Sequence, residues 1–494
     1  MHHSKDILYL KKNRKMKYDV LIIGSGLGGL TSGAKLARAG KKVLLLEQHD
    51  RPGGCATTFL RKGFTMEVGL HEMDGLHPGD MKSRIFRDLG VLDKVEFLKV
   101  PEFYRFVNGR QDVVVSHDPD EVSELLISLF PEEKEGIEAY FYQLMNIRKI
   151  IKESTEQSDK TIGEFLDEII KNNDLKLILL GNLGYFHDDP YNLSLNYYAM
   201  AQSSYYQGGG NFIKGGSQVL SDYLAGAIED TGGEVRLNHL VDEILVEDDR
   251  AVGLSVLNQR NGKRYQVMAD RIVANSSIPG VADKLLPPQH GSLLRNQLQG
   301  LEPGASLLTV YFGFRIPLRE IGHKFYSTFV FDSSVKGLED VKDNNHADYS
   351  KRSFTFVDYS QVDSNLAPQG KSVGAVCCMD YPEQWENLSK EEYKDKKKQA
   401  ARAFIARLDK LIPGFSKAIE YYEVGTSKTV GRYTLNPKGA VYGFAQTPER
   451  VKREISSPLE NLHFASAWTK TGGGFSGAIF SGYLCAMDII RKSR

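Results

Sequence analysis

Apolar positions near the start of the chain form two patterns, namely continuous apolar runs and apolar residues at helical spacing. Residues 20–23 (VLII) and 43–46 (VLLL) are continuous apolar runs, the pattern of parallel strands that are covered on both faces. The apolar residues between these runs recur at helical spacing, as Leu27, Leu30, Ala34 and Ala37. The stretch 19–47 therefore predicts a strand, a tight turn, a helix and a second strand.

The same patterns return later in the chain. The segment SQVLSDYLAGAIEDTGG predicts a helix, and its apolar face comprises Leu220, Leu224, Ala227 and Ile228. The short runs that follow predict strands: EVRLN, LVDEILVE, AVGLSV and DRIVAN. Close to the end of the sequence, NLHFASAW predicts another strand, and GGGFSGAIFSGYLCAMDII predicts a helix that begins at glycines.

The remaining segments differ in their pattern of charged and apolar residues, and they predict a second domain. They contain charged helices such as EEKEGIEAYFYQLMNIRKIIKE and strands such as SLLTVYFGF and SVGAVCCMDY. We predict an α/β protein of two interleaved domains, with a first domain made of residues 17–75, 205–300 and 420–494 and a mixed α+β second domain made of residues 76–204 and 301–419. Residues 1–16 are basic and hold only the short apolar run ILYL, so we predict a disordered leader there.

The turn after the first strand carries a nucleotide-binding pattern. Gly24, Gly26 and Gly29 form GxGxxG, in which the first glycine permits the turn, the second admits a pyrophosphate and the third lets helix and strand pack closely. The following helix would offer its N–H groups and positive dipole end to the phosphates. Glu47 ends the second strand, where it would hold a ribose hydroxyl, and its negative charge favours FAD or NAD over NADP.

The residues after Glu47 make FAD the preferred ligand. Arg51, Gly53 and Gly54 in RPGG resemble the motif with which glutathione-reductase-like flavoproteins approach the FAD phosphates. In that class a small apolar residue on a later strand reads the adenine through its backbone, and Val241 is the candidate here. A core position is the alternative for Val241.

Taken in order, several segments resemble the superfamily of phytoene desaturases, carotenoid isomerases and retinol saturases: GSGLGGLTSGAKLARAGKKVLLLEQHDRPGG, GFTMEVGLHEMDG, FIKGGSQVLSDYLA, RYTLNPKGAVYG and GGGFSGAIFSGYLCA. The resemblance implies a glutathione-reductase-like FAD-binding Rossmann domain interleaved with a substrate domain. It also implies non-covalent FAD, whose ribityl chain and ring would meet the helix that starts near Gly474 and Phe475.

The resemblance also identifies candidate residues near the flavin ring. It implies that His71 and Glu72 lie near the isoalloxazine, where they are candidates for acid or base. Ala467 and Trp468 stand where the family usually has Gly-Asp, and an indole cannot accept the hydrogen bond that an aspartate would accept. Trp468 would therefore stack beside the flavin or fill space.

Composition and charge narrow the partners. Lys plus Arg and Asp plus Glu both number 63, so no basic excess points to nucleic acid. The four cysteines show no CxxC and no metal-ligand spacing, which favours a reducing, cytoplasmic setting without a metal site. An aromatic-rich stretch, YFHDDPYNLSLNYYAMAQSSYY, suits either a wall for a long apolar ligand or a protein core. The run KEEYKDKKKQAARAFIARLDKLI predicts a solvated helix, with peripheral membrane contact as the alternative.

We therefore predict an FAD-dependent oxidoreductase that desaturates or saturates carbon–carbon double bonds of a carotenoid, retinoid or related isoprenoid lipid. A flavin-dependent polyene cis–trans isomerase without net redox change is the alternative. A flavin amine oxidase and an FAD-free prenyl-lipid escort protein, like the Rab GDP-dissociation inhibitors, are weaker hypotheses. The direction of the reaction, an external NAD(P)H or quinone electron partner and the oligomeric state stay open.

Overall fold

The computed structural model describes residues 18–153 and 160–493. The predicted leader, residues 1–16, lies outside the described residues. The strands are β1 (Tyr18–Ile23), β2 (Val43–Leu46), β3 (Thr58–Arg61), β4 (Phe64–Glu67), β5 (Met73–Asp74), β6 (Phe97–Lys99), β7 (Tyr104–Val107), β8 (Asp112–Val115), β9 (Gly210–Ile213), β10 (Glu234–Arg236), β11 (His239–Glu247), β12 (Arg250–Asn258), β13 (Arg264–Ala274), β14 (Ser306–Phe314), β15 (Ser327–Val330), β16 (Phe354–Asp358), β17 (Ser372–Asp380), β18 (Ile419–Gly425) and β19 (Leu462–Phe464).

The α-helices are α1 (Leu27–Arg38), α2 (Met81–Leu89), α3 (Pro119–Leu129), α4 (Lys134–Met145), α5 (Ile147–Glu153), α6 (Ile162–Ile169), α7 (Asn173–Leu179), α8 (Leu195–Gly208), α9 (Ser217–Asp230), α10 (Ile278–Gly280), α11 (Pro288–Leu298), α12 (Val341–His346), α13 (Lys390–Leu411), α14 (Phe415–Ala418), α15 (Ser427–Thr434), α16 (Pro448–Lys452) and α17 (Gly474–Lys492). Short 3₁₀ turns occupy Val91–Asp93, Pro131–Glu133, Leu183–Tyr185, Leu318–Ile321, Leu338–Asp340, Tyr359–Gln361, Pro382–Trp385 and Pro437–Gly439, and Val281–Leu285 forms one π-helical turn.

The first sheet is parallel on one side and antiparallel on the other. Strands β10, β2, β1, β13 and β19 are parallel neighbours in that order. β13 is 11 residues long, and its first half pairs antiparallel with β12, which pairs antiparallel with β11. The parallel strands are buried on both faces, as their continuous apolar runs predict. This is the predicted Rossmann domain of the glutathione-reductase type.

The second sheet has the order β18, β14, β17, β16, β15, β7 and β8, and only the β15–β7 pair is parallel. Alternate residues of its central strands point to opposite faces. Val376 and Phe356 pack in a core cluster with Phe404 of α13. Thr355, Cys377 and Met379 therefore face the other way, toward the first domain. The predicted α/β fold with a mixed second domain is confirmed.

Three predicted domain boundaries do not follow the packing. The boundary at residue 205 falls inside α8, where Tyr205 and Tyr206 pack in the second domain's core cluster. The boundary at residue 420 cuts through β18, which pairs with β14 from Ile419 to Gly425, so the pairing puts this boundary after Gly425. In addition, Ile85 and Phe86 of α2 pack in the same core cluster as Leu224 of α9. Residues 76–100 therefore belong with the first domain rather than the second, because their apolar side chains complete its core.

Helices from the two ends of the sequence touch backbone to backbone. A Cβ atom on Gly28 of α1 would lie 2.1 Å from the carbonyl oxygen of Ala465, and one on Gly482 of α17 would lie 2.2 Å from the carbonyl oxygen of Gly28. No L-residue with a side chain fits at such distances. The glycines of the C-terminal segment therefore bring α17 against α1 across more than 400 residues of sequence.

Gly482→Ala should destabilise the protein, because the new methyl group would overlap the Gly28 carbonyl oxygen. Overpacking of this kind costs about 1–3 kcal/mol, so the midpoint of thermal unfolding, followed by circular dichroism, should fall. The matched control is Gly226→Ala in α9, where an added Cβ meets nothing within 4 Å. That variant should gain about 0.5–1 kcal/mol, as expected for alanine in place of glycine in a helix. An unchanged midpoint for Gly482→Ala would contradict the backbone contact.

Candidate functional site

The predicted phosphate-binding turn joins β1 to α1. Gly24 adopts a left-handed backbone (φ +87°), and its N–H donates to the carbonyl oxygen of Leu46 at 2.8 Å. A Cβ on Gly29 would lie 2.2 Å from the Gly24 carbonyl oxygen, so the third glycine lets the helix sit against the turn. Gly26 is the N-terminal cap of α1, whose first-turn N–H groups have no partner within the helix. This geometry suits a phosphate.

Glu47 lies directly against this turn. Its Oε2 accepts hydrogen bonds from the backbone N–H of Ser25 at 2.8 Å and from the Ser25 hydroxyl at 2.6 Å. Its Oε1 accepts from the N–H of His49 at 2.9 Å. The GxGxxG pattern leaves the residue at position 25 open, so sequence reasoning missed Ser25 as the residue that links the acid to the turn.

The RPGG segment packs on the other side of the same turn. The N–H of Gly53 donates to the carbonyl oxygen of Ser25 at 2.9 Å, and a Cβ on Gly54 would lie 3.2 Å from the Cα of Gly26. Gly53 and Gly54 both have positive φ (+125° and +62°). The Arg51 guanidinium donates to the carbonyl oxygen of Thr58 at 2.8 Å. The two glycine motifs thus form one structure around Ser25.

A cavity of about 680 Å³ lies between the first domain and the inner face of the second sheet. The first domain contributes Gly473 and Gly474, where α17 begins, and the sheet contributes Phe329, Cys377 and Met379. Most of the wall is apolar. A Cβ on Gly474 would meet nothing within 4 Å, so the backbone at the start of α17 opens onto free space.

The cavity brings together some of the predicted site residues and leaves others apart. His71, Glu72, Gly474 and Phe475 line it, whereas the turn at Gly26 lies outside its wall. The aromatic-rich stretch serves both of its predicted roles. Four of its rings line the cavity, namely Tyr185, Phe186, Tyr197 and Tyr205. Four are buried in the second domain's core cluster, namely Phe186, Tyr198, Tyr205 and Tyr206, so two rings serve both roles.

A family model described as "Flavin containing amine oxidoreductase" matches residues 27–490. The chain belongs to this family. It is a flavin-dependent oxidoreductase, and the predicted resemblance to the carotenoid isomerases and retinol saturases is confirmed by its relatives. The chain is 25% identical to the all-trans-retinol 13,14-reductase of Danio rerio over 96% of its own length and 86% of the relative. It is 28% identical to the chloroplastic prolycopene isomerase of Daucus carota over 96% and 80%.

Solved structures share the fold of this flavin-dependent oxidoreductase. An oxidoreductase from Methanosarcina mazei matches with a TM-score of 0.68 and 17% identity, over 96% of this chain and all of the other. Wild-type putrescine oxidase bound to putrescine matches with a TM-score of 0.64 and 15% identity, over 96% and 99%. At these identities the likeness concerns the fold alone.

The segment with His71 and Glu72 is held by tyrosine hydroxyls in this oxidoreductase. The hydroxyls donate to three successive carbonyl oxygens: Tyr359 to Leu70 at 2.9 Å, Tyr326 to His71 at 2.5 Å and Tyr205 to Glu72 at 3.4 Å. Because these tyrosines come from three distant parts of the chain, no sequence pattern around His71 could have indicated them. They fix the backbone on which the candidate acid and base stand.

Burial favours the uncharged forms of both Glu72 and His71. Burial raises the pKa of Glu72 well above 4.5, and the nearby charges of Glu102 and Asp74 raise it further. Neither carboxyl oxygen of Glu72 has a hydrogen-bond partner among the described residues. Burial lowers the pKa of His71 to about 4. The surroundings in the cavity wall therefore favour a neutral acid beside a neutral base.

Glu67 is a second functional residue that sequence reasoning missed. Its Oε1 accepts from the N–H groups of Gly69 (3.1 Å) and Leu70 (3.0 Å), and its Oε2 accepts from the N–H of Ser217 at 2.7 Å. Gly69 lines the cavity, whereas Ser217 begins α9. Glu67 thus connects the cavity wall at Gly69 to the start of α9 in the first domain.

Trp468 packs in the protein core, so of its two predicted roles the structure favours filling space. Its ring lies 4.9 Å from that of Phe444 in an edge-on arrangement, and its Nε1–H donates to Asn436 at 3.3 Å. Neither Ala467 nor Trp468 is part of the cavity wall. Val241 belongs to the same core cluster as Trp468, and its backbone role toward adenine stays a prediction.

Glu72→Gln should change how stability depends on pH. A carboxyl whose pKa is raised on folding binds a proton in the folded state that the unfolded chain has lost, so stability falls as pH rises above about 4.5. The slope is at most about 1.4 kcal/mol per pH unit for one group. The glutamine variant lacks this loss, so its unfolding midpoint relative to the parent should rise between pH 5 and pH 8. A constant difference across that range would show that Glu72 ionises normally.

Proposed function

We propose that the protein binds FAD non-covalently and transfers hydride between the flavin and a carbon–carbon double bond of a long apolar polyene. One observation carries this proposal. A single cavity joins the glycine start of α17, where the ring would bind, to an apolar wall of aromatic and sulfur-containing side chains. The size and lining of this cavity suit a lipophilic molecule rather than a polar metabolite.

The residues of the first domain fit the parts of FAD. The glycine turn and the start of α1 would hold the pyrophosphate, and Glu47 would hold the adenosine ribose, where Ser25 already orients its carboxylate. The open backbone at Gly474 leaves room for the ring beside the N-terminus of α17. FAD in such a site supplies hydride transfer. These residues give no support to an FAD-free lipid escort.

Glu72 is the residue we propose as the proton donor when a double bond is saturated. Saturation adds a hydride to one carbon and a proton to the other, so the wall must offer a neutral acid that keeps its proton at neutral pH. Burial gives Glu72 this property. The apolar wall would exclude water, which would otherwise compete for the proton.

The charges of the wall favour an apolar substrate over an amine. Burial favours the protonated form of Glu72, and Asp74 forms an ion pair with Lys82 at 3.1 Å. Asp80 caps α2 by accepting from the N–H of Ser83. The wall therefore offers no unbalanced carboxylate for an ammonium group among the described residues. The relatives named retinol 13,14-reductase and prolycopene isomerase support saturation and isomerisation respectively, and both remain candidates.

Peripheral membrane contact and an external electron partner stay predictions. Within residues 18–153 and 160–493, no helix combines the length and the apolar character that crossing a bilayer demands. The lysine-rich helix α13 packs on the second sheet through Ala401, Phe404 and Leu408, and its charged residues lie on the outer side.

Glu47→Gln should weaken FAD binding selectively. A hydrogen bond to a charged group is worth about 1.5–3 kcal/mol, so the Kd for FAD should rise by about ten- to a hundredfold in a fluorescence titration of the apoprotein. FMN lacks the adenosine, and its Kd should therefore change by less than about threefold. Equal losses for FAD and FMN would mean that Glu47 acts through the fold of the turn and not through the ribose.

The product of a conjugated polyene should identify the reaction. With reduced flavin, mass spectrometry should find two added hydrogens for a saturase or an unchanged mass with a new double-bond geometry for an isomerase. Glu72→Gln should slow saturation by about a hundredfold without changing the Kd for FAD. Glu133→Gln is the matched control, since Glu133 is buried, accepts from the N–H groups of Lys171 and Asn172 and lies outside the cavity wall. Oxidation of an aliphatic diamine without conversion of any polyene would overturn the proposal.

A further inference from the structure

A fully buried lysine stands behind the cavity wall. The Lys82 side chain has 0% exposure, and its Nζ donates to Asp74 Oδ1 at 3.1 Å and to the Ser476 hydroxyl at 2.6 Å. The Ser476 hydroxyl in turn donates to the same Asp74 oxygen at 2.5 Å. The three residues come from α2, β5 and the first turn of α17, so the triad joins three elements at one point.

Stability alone does not account for this triad. Removing an ammonium group and a carboxylate from water costs several kcal/mol per ion, and apolar residues of similar volume often serve folding equally well. Although burial alone would raise the pKa of Asp74, the Lys82 charge and hydrogen bonds from Ser204, Ser476 and Lys82 hold it below its ordinary value. Asp74 is therefore a carboxylate that Lys82 balances.

The triad lies at the edge of the cavity where the ring would bind. Asp74 and Ser476 line the cavity together with Gly473 and Gly474, whereas Lys82 itself lies outside the wall. Ser476 belongs to the first turn of α17, whose N–H groups point toward the same space. The Lys82 charge thus acts on the cavity only through the two residues that it holds.

Other ionisable groups near the triad do not offset this pair. Burial favours the protonated, neutral form of Glu72, and the pKa of Tyr197 is raised to about 12 by burial and by Asp74, which keeps its hydroxyl neutral at pH 7. Asp80 caps α2, and its carboxylate faces the N–H groups of that helix. Arg148 and Lys470 also line the cavity, and their charges form a background that variants of Lys82 and Asp74 leave unchanged. Within that background, the balance between Lys82 and Asp74 contributes to the charge at this edge of the cavity.

We propose that Lys82 is a positioning residue that sets the reduction potential of the bound flavin through the charge of the Lys82–Asp74–Ser476 triad. A flavin gains negative charge in its ring on reduction when protons do not follow every electron. A cation at the ring edge favours the reduced form, and an unbalanced carboxylate opposes it. This inference rests on the proposed flavin site at the start of α17.

The test removes the two charges singly and together. The flavin midpoint potential of each FAD-loaded variant is then measured by spectroscopic titration against reference dyes. Lys82→Met leaves Asp74 unbalanced, so the reduced flavin should bind about tenfold more weakly relative to the oxidised flavin. For a two-electron couple this is a fall of about 30 mV in midpoint potential. Asp74→Asn should raise the potential by a similar amount. The double variant has no net change in charge and should lie close to the parent.

A second ion pair provides the matched control. Lys176 is nearly buried and pairs with Asp167 at 2.6 Å, yet neither residue lines the cavity. Lys176→Met should lower the unfolding midpoint and leave the flavin potential unchanged. If Lys82→Met does not fold, Asp74→Asn still decides the sign of the effect.

Two results would overturn the inference. One is a parent-like potential in both single variants, and the other is a double variant that departs from the parent as far as the single ones do, because the effect would then come from packing. Failure of the parent protein to bind FAD would instead refute the proposed flavin site. The two failures are therefore distinguishable.

Discussion

The direct backbone contact between α1 and α17 is the constraint on which the site depends. α1 starts at the predicted phosphate-binding turn, and α17 starts at the cavity, so the way these helices meet would set the distance between the two ends of the FAD that we propose. Gly28 and Gly482 let them meet without an intervening side chain. β19, which pairs with β13 in the first sheet, delivers the chain to this contact through Ala465. The cavity exists because the last helix is anchored to the first.

Local patterns identified the parts of the site whose geometry is also local. The spacing of Gly24, Gly26 and Gly29, followed by the acid at the end of β2, depends only on one strand–turn–helix–strand unit, and the structure places that unit as predicted. The same holds for the helix that begins at Gly474, because glycine-rich starts and apolar periodicity are visible in the sequence. Such features are specified within a few dozen residues.

The missed residues depend on contacts between distant segments. Glu67 acts by joining Gly69 to Ser217. The tyrosines that hold residues 70–72 are Tyr326, which directly precedes β15, Tyr359, which directly follows β16, and Tyr205 in α8. Neither spacing nor composition marks such partners. The predicted boundary at residue 76 does not follow the packing for the same reason, because the amphipathic pattern of α2 does not show that Phe86 packs in the first domain's core.

The cavity wall and the Lys82–Asp74 pair beside the proposed flavin ring have different chemical roles. Burial raises the pKa of Glu72 and lowers that of His71 to about 4, so the wall favours the neutral forms of both, which suits the apolar substrate that we propose and favours neither direction of reaction. A saturase and an isomerase could both use such a wall, because each would need to hold a conjugated double bond against the flavin ring. What separates them is whether electrons remain in the product, and this depends on how strongly the site stabilises reduced flavin. The charge of the Lys82–Asp74 pair, which we propose acts on the flavin, would therefore bias this protein toward one of the two reactions without any change in its substrate cavity.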